Sequence, residues 1–281
     1  MPATPSRSWK QSLVTMAIFL VCGGTLGAAG YVSFLPQEAR TVLKVTMAAA
    51  TLAAWLISPE RERLRPYRPI LLGFFSVSIG LLLAQFFGTI PLRLLGWSVA
   101  TARGIAMAKL GEAVAIVLPI LVSHFATGGD RDALFLGGGH LRLGLTAGVL
   151  GFAAFACIAA VQAMGSGLHW AVVASALPWI SIFVFSNAFM EELWFRALFL
   201  KKLEPLVGGT TAIVCTALVF ALVHISSSYV IDIVLFLVAL MALGLLWGWL
   251  MRKSESIWGS VLIHAGADVL VMMGFLAGGG L

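Results

Sequence analysis

Apolar residues run through this chain in blocks of about 20, separated by short clusters of Arg, Lys, Pro and Gly. A helix needs about 20 mostly apolar residues to cross the hydrocarbon of a bilayer. The blocks predict helices over roughly 12–35, 40–58, 70–87, 104–124, 143–164, 170–200, 210–225, 229–250 and 258–276. The second block carries Lys44 and the seventh is short, so the expected architecture is an all-α polytopic transmembrane bundle of eight to nine spans. Residues 88–103, with Pro91, Arg93, Gly96 and Trp97, read as an interfacial segment, because Trp and amphipathic positions favour the headgroup region. The first block is longer than the h-region of a signal peptide and reads as a retained helix.

Composition agrees with that pattern. The chain of 281 residues is 60% hydrophobic and 11% charged, against roughly 25% charged in a soluble domain. The net charge of +6 is no sign of nucleic-acid binding, because the basic residues sit in short loops. With the N-terminus inside, twelve of the eighteen Lys and Arg fall in inside segments, Arg7 and Lys10 first among them. Three (Arg40, Arg93 and Arg103) fall outside, and Lys44, Lys109 and Arg196 lie within spans. Positive charge collects on the inner side of membrane proteins, so this asymmetry predicts an inside N-terminus and an outside C-terminus. Cys22, Cys157 and Cys215 are far apart and form neither a disulfide framework nor a metal-binding pair. Gly128-Gly129 to Gly137-Gly138-Gly139 is the expected joint between N-terminal helices (1–125), which carry no motif, and a C-terminal core (126–281).

Ionisable residues at bilayer depth cost at least ~2.5–3.5 kcal/mol each, and are functional candidates by default. Three groups stand out. In Glu191-Glu192-Leu193-Trp194-Phe195-Arg196, Glu192 and Arg196 are four residues apart and share a helix face, which predicts an ion pair. Glu191 points about 100° away, without a local partner, as a general base requires. In Phe220-Ala221-Leu222-Val223-His224, a tight turn at Pro205 and Gly208-Gly209 predicts a hairpin that brings His224 to the depth of Glu191, with Phe220 walling the pocket. In His264-Ala265-Gly266-Ala267-Asp268, the i,i+4 spacing suits an oriented imidazole, a metal site with a third ligand, or two groups facing a reacting carbonyl. Together these residues suit a peptidase that uses water and has no nucleophilic Ser or Cys. Asn187, one turn before Glu191, is a supporting candidate.

The ordered motifs over about 170–276 resemble the type II CAAX prenyl endopeptidase family, also called CPBP or Abi. These are membrane-embedded glutamate proteases and bacteriocin-processing or immunity-type proteins. The resemblance implies Glu191 as general base, His224 sharing the water, His264 as oxyanion donor with Asp268, and Glu192 and Arg196 in support. It implies no cofactor. It also implies a peptide or protein substrate, lipidated or not, reached among membrane lipids in a bacterial cytoplasmic membrane. The eukaryotic CAAX branch has Asn where this chain has Asp268. An ionised Asp cannot donate a hydrogen bond, so Asp268 is either protonated or confined to orienting His264.

Three rivals compete with this reading. A zinc protease would use His224, His264 and a carboxylate, although HExxH is absent. A rhomboid-like serine enzyme would draw on Ser226, Ser227 or Ser228. A transporter or immunity protein without enzymatic activity would use Lys44, or Lys109 with Glu112, as intramembrane charges.

Overall fold

The computed structural model describes residues 9–227 and 232–280. Arg7, Ser228 and the expected start of the eighth span at 229 fall outside these. Among the described residues the regular structure is all helical. Eight helical stretches are long and apolar enough to span a membrane, and the protein is a multi-pass membrane protein. The seventh expected span is shorter than the rest: α9 (Gly209–Leu222) has 14 residues.

The chain forms two compact units interleaved along the sequence, one of 1–79 with 198–248 and one of 80–197 with 249–281. The first unit holds α1 (Trp9–Tyr31), α2 (Gln37–Ile57), most of α3 (Arg68–Phe87), α8 (Phe199–Val207), α9 and most of α10 (Ile233–Ser254). Its core includes three rings, Phe19, Phe74 and Phe199, with centroids 4.7–5.7 Å apart. Side chains added at Gly23 and Gly27 of α1 would meet Val219 and Val223, so these glycines let α1 approach α9 closely. α8 buries Phe199, Leu200, Leu203 and Leu206 on one face and turns back into α9 through Gly208, at φ 85°. The tight turn expected at Gly208-Gly209 is present, and the helix it turns back from is α8.

The second unit contains α4 (Ile90–Leu95), α5 (Ala102–Ala126), α6 (Leu141–Gly165), α7 (Trp170–Glu191) and α11 (Trp258–Ala277). α4 is a short helix within 88–103, the segment expected to be interfacial, and Trp97 beyond it packs edge-on against Trp179. α6 and α11 pack through glycines. A Cβ on Gly148 would stand 3.0 Å from Gly259 Cα, and one on Gly266 only 2.7 Å from the Phe152 backbone. Small residues of this kind replace the hydrophobic driving force that is missing between helices in lipid.

The glycine-rich stretch expected as a joint lies wholly inside this second unit. Leu134 and Phe135 are buried. The Phe135 carbonyl accepts from Ile257 N–H (2.9 Å), and His140 N–H donates to the Ser254 carbonyl (2.6 Å). The stretch therefore fixes the turn that launches α11. Within it, Gly139 packs closely against the backbone at Glu255.

Candidate active site

α7 ends at Glu191, and the helix continues as a π-helical turn over Glu192–Leu198. Such wide turns are rare and concentrate at functional sites. α11 runs antiparallel to α7, since Asn187 meets Asp268 and Glu192 meets His264. The facing surfaces of these two helices hold six polar side chains, all buried: Asn187, Glu191, Glu192, Arg196, His264 and Asp268.

The geometry centres on the His264 ring. Glu192 Oε1 accepts from Arg196 Nη1 at 3.0 Å and from His264 Nδ1–H at 2.9 Å. A carboxylate oxygen already paired with a guanidinium only accepts, so the proton of that contact sits on Nδ1. His264 Nε2 then faces Glu191 Oε2 at 3.4 Å and Asp268 Oδ1 at 3.8 Å. Asn187 Nδ2–H donates to Asp268 Oδ2 at 2.9 Å. Glu191 Oε2 is buried and has no hydrogen-bond partner among the described residues.

Two expectations change here. The Glu192–Arg196 pair is present as expected, but it is one arm of a triad that includes His264. Glu191 was expected to lack a partner on its own helix and to meet imidazoles from other helices, and here both glutamates approach the one imidazole of His264. Side chains 100° apart on a helix cannot meet at one atom, but they can straddle a ring whose two nitrogens lie on different edges. The sequence gives the angle between neighbours and says nothing of the planar group on another helix that can bridge it.

His224 and Phe220 belong to the first unit. His224 lies in the turn just past α9, rather than inside a helix as expected. The last carbonyls of a helix lack intrahelical donors, and His224 Nδ1–H donates to that of Phe220 at 2.9 Å. This bond fixes the tautomer, so in the neutral ring the lone pair is on Nε2. The Phe220 ring is fully buried, with its centroid 4.9 Å from that of His224 and 5.6 Å from that of Trp247.

The remaining candidates are ordinary in their surroundings. Ser226 Oγ accepts from the Ser33 backbone N–H. Lys109 and Glu112 pair with each other on α5 at 2.6 Å. Among the described residues, no three or more His, Cys, Asp or Glu side chains stand in an arrangement able to hold a metal ion.

Comparison with known proteins bears on this geometry directly. Residues 172–270 match the Rce1-like family of type II CAAX prenyl endopeptidases. The matched segment holds every motif singled out in the sequence, from Glu191 to Asp268, and it supports an intramembrane CAAX-type protease. No curated protein and no solved structure matches the chain.

Proposed function

We propose that this protein is a glutamate-type intramembrane endopeptidase in which Glu191 and His224 activate a water for attack on a peptide carbonyl. The observation that carries the reading is Glu191. Its Oε2 is buried, makes no hydrogen bond among the described residues, and stands 3.4 Å from His264 Nε2, where a reacting water would be held between base and imidazole. A water supplies the donor it lacks, and a general base needs such a contact. Glu191 takes one proton from that water, and the lone pair on His224 Nε2 accepts a hydrogen bond from the other O–H. The hydroxide adds to the scissile carbonyl. His264, as an imidazolium whose Nδ1–H is held by Glu192, stabilises the developing oxyanion through Nε2–H. The proton held by Glu191 then passes to the departing amine, which balances the hydrolysis. Glu192 and Arg196 hold the His264 ring in place, and Asn187 holds Asp268.

No step needs a metal or other cofactor. A prenylated tail, a leader peptide and a segment of a membrane protein are all substrates that a site among lipids would admit.

The test compares peptides released in membranes containing the wild type and Glu191→Ala, followed by assays of the purified proteins. Glu191→Ala and His224→Ala are each expected to lower cleavage at least ~100-fold, within the range for loss of a general base, while still inserting and folding. Full activity in either purified variant sinks the mechanism. Cleavage is also expected to survive dialysis against a chelator, whereas a loss restored by zinc would favour the metalloprotease instead.

A further inference from the structure

The Lys109–Glu112 pair lies outside the segment matched to the protease family. It is mostly buried, it lies on a membrane-spanning helix, and the mechanism above makes no use of it. Its level in the second unit can be worked out from the residues that meet at one end of α5, α7 and α11. Ala102, Val172, Ala176, Trp179 and Leu276 line a shared cavity there. From that end Lys109 lies seven residues along α5, Asn187 eight residues beyond Trp179 on α7, and Asp268 eight residues back from Leu276 on α11. At ~1.5 Å per residue, all three stand about 10–12 Å from the cavity. α5 packs along α7 and also touches α11. Consistent with that placement, the charges of Glu191 and Asp268 act on Lys109 alongside that of Glu112. The charge of Lys109 acts in turn on Asp268.

The geometry points to Lys109 as a positioning residue, the counter-charge that keeps Asp268 an acceptor beside His264. The balance of charge around the ring explains the need for one. α7 presents Glu191, Glu192 and Arg196, α11 presents His264 and Asp268, and α5 presents Lys109 and Glu112. α6, on another side of α11, carries only Arg142 and Cys157 as titratable residues, and Arg142 is in its first turn. Arg196 is bonded to Glu192. Glu191 and Asp268 then stand on either side of His264 Nε2, whose ring is the nearest counter-charge to both, in a medium that screens their repulsion poorly, and Lys109 is the further cation facing them. Lys109 offsets both, and Glu112 tethers it by an ion pair on the same helix face. On this proposal Asp268 takes the second of the two roles open to it. It accepts from Asn187 and orients His264, and it donates nothing to an oxyanion. The catalytic consequence rests on the peptidase reading, but the electrostatic claim does not.

Infrared titration of the protonated-carboxyl band in the full-length, lipid-reconstituted protein tests the claim without any substrate. Asp268→Asn and Glu191→Gln assign the band. Lys109→Gln is expected to move the midpoint of the assigned band up by about one pH unit, the Coulomb effect of one charge at roughly 10 Å and an effective dielectric near 20. Lys109→Arg is expected to titrate like the wild type. Glu112→Gln, which removes an anion and leaves the cation, is expected to move the midpoint down. Superimposable titrations of the wild type and Lys109→Gln overturn the proposal. Should Lys109→Gln fail to accumulate, an unmoved or upward midpoint in Glu112→Gln does the same. Activity of Glu191→Ala in the cleavage assay is read separately, so failure of the peptidase reading is distinct from failure of this one.

Discussion

Glu192 Oε1 serves two donors at once, one on Arg196 and one on His264, and both Glu192 and Arg196 are fully buried. Removing this one carboxylate takes the ion-pair partner from a buried guanidinium and the Nδ1–H acceptor from the His264 imidazole. Breaking a buried ion pair from one side costs about 3–5 kcal/mol. Glu192→Ala is therefore expected to lower thermal stability markedly as well as activity, read as a fall in Tm of the purified protein. Glu192→Ala combined with Arg196→Met is expected to recover part of the stability and none of the activity, since the buried charge is gone but His264 is still unanchored. An unchanged Tm in the single variant removes the triad as a structural element. Much of this was legible in the sequence. Spacing of four paired Glu192 with Arg196 and put His264 and Asp268 on one face. The partner of Glu191 was not legible, because it lies 73 residues further on and depends on how α7 and α11 face each other. Asn187 was a supporting candidate from its place one turn before Glu191, but that it holds Asp268 was not legible.

At the scale of elements, the contact between α6 and α11 sets where His264 and Asp268 stand. The two helices run parallel, with Gly144 and Gly148 against Gly259, Gly151 against Ile263 and Phe152 against Gly266. A methyl group on Gly259 would stand 2.5 Å from the Gly144 carbonyl oxygen, which is backbone and cannot swing aside. The helices would have to part. Gly259→Ala is expected to cost about 1–3 kcal/mol, the usual range for overpacking, and to reduce cleavage at the same time by shifting α11 against α7. Gly24, which has open space around it on α1, provides the control: Gly24→Ala is expected to change neither Tm nor cleavage. Retained stability in Gly259→Ala would show that the glycine seam tolerates separation. The hydrophobic pattern located these helices to within a few residues, but it carried no sign of which glycines face another helix. The π-helical turn over Glu192–Leu198 was equally invisible, because a wide turn and an ordinary one present the same apolar run.

For the whole molecule, the parallel packing of α6 and α11 constrains how many times the chain crosses the membrane. Two parallel spans begin on the same side. An even number of crossings must then separate the start of α6 from the start of α11. α6 and α7 cross once each on the way, and α10, with 22 residues, crosses again. Three crossings would start α11 on the wrong side, so a fourth is needed, and α9 is the apolar helix left to make it. Its 14 residues rise ~21 Å, short of the ~30 Å hydrocarbon core. The rest of the distance is covered by neighbouring chain or by local thinning of the bilayer, at a cost of fractions of a kcal/mol per Å. α1, α2, α3 and α5 add four crossings before α6, so an inside N-terminus puts the starts of α6 and α11 inside and the C-terminus outside. The crossing count puts the termini on opposite sides, and loop charge, with twelve of eighteen basic residues inside, is what puts the N-terminus inside. A protease-sensitive tag at the C-terminus is therefore expected to be cleaved from the outside of intact cells, and one at the N-terminus is expected to be protected. Two tags on the same side would mean that α9 enters and leaves by one face. The parallel register of α6 and α11, on which the placing of His264 depends, would then be wrong.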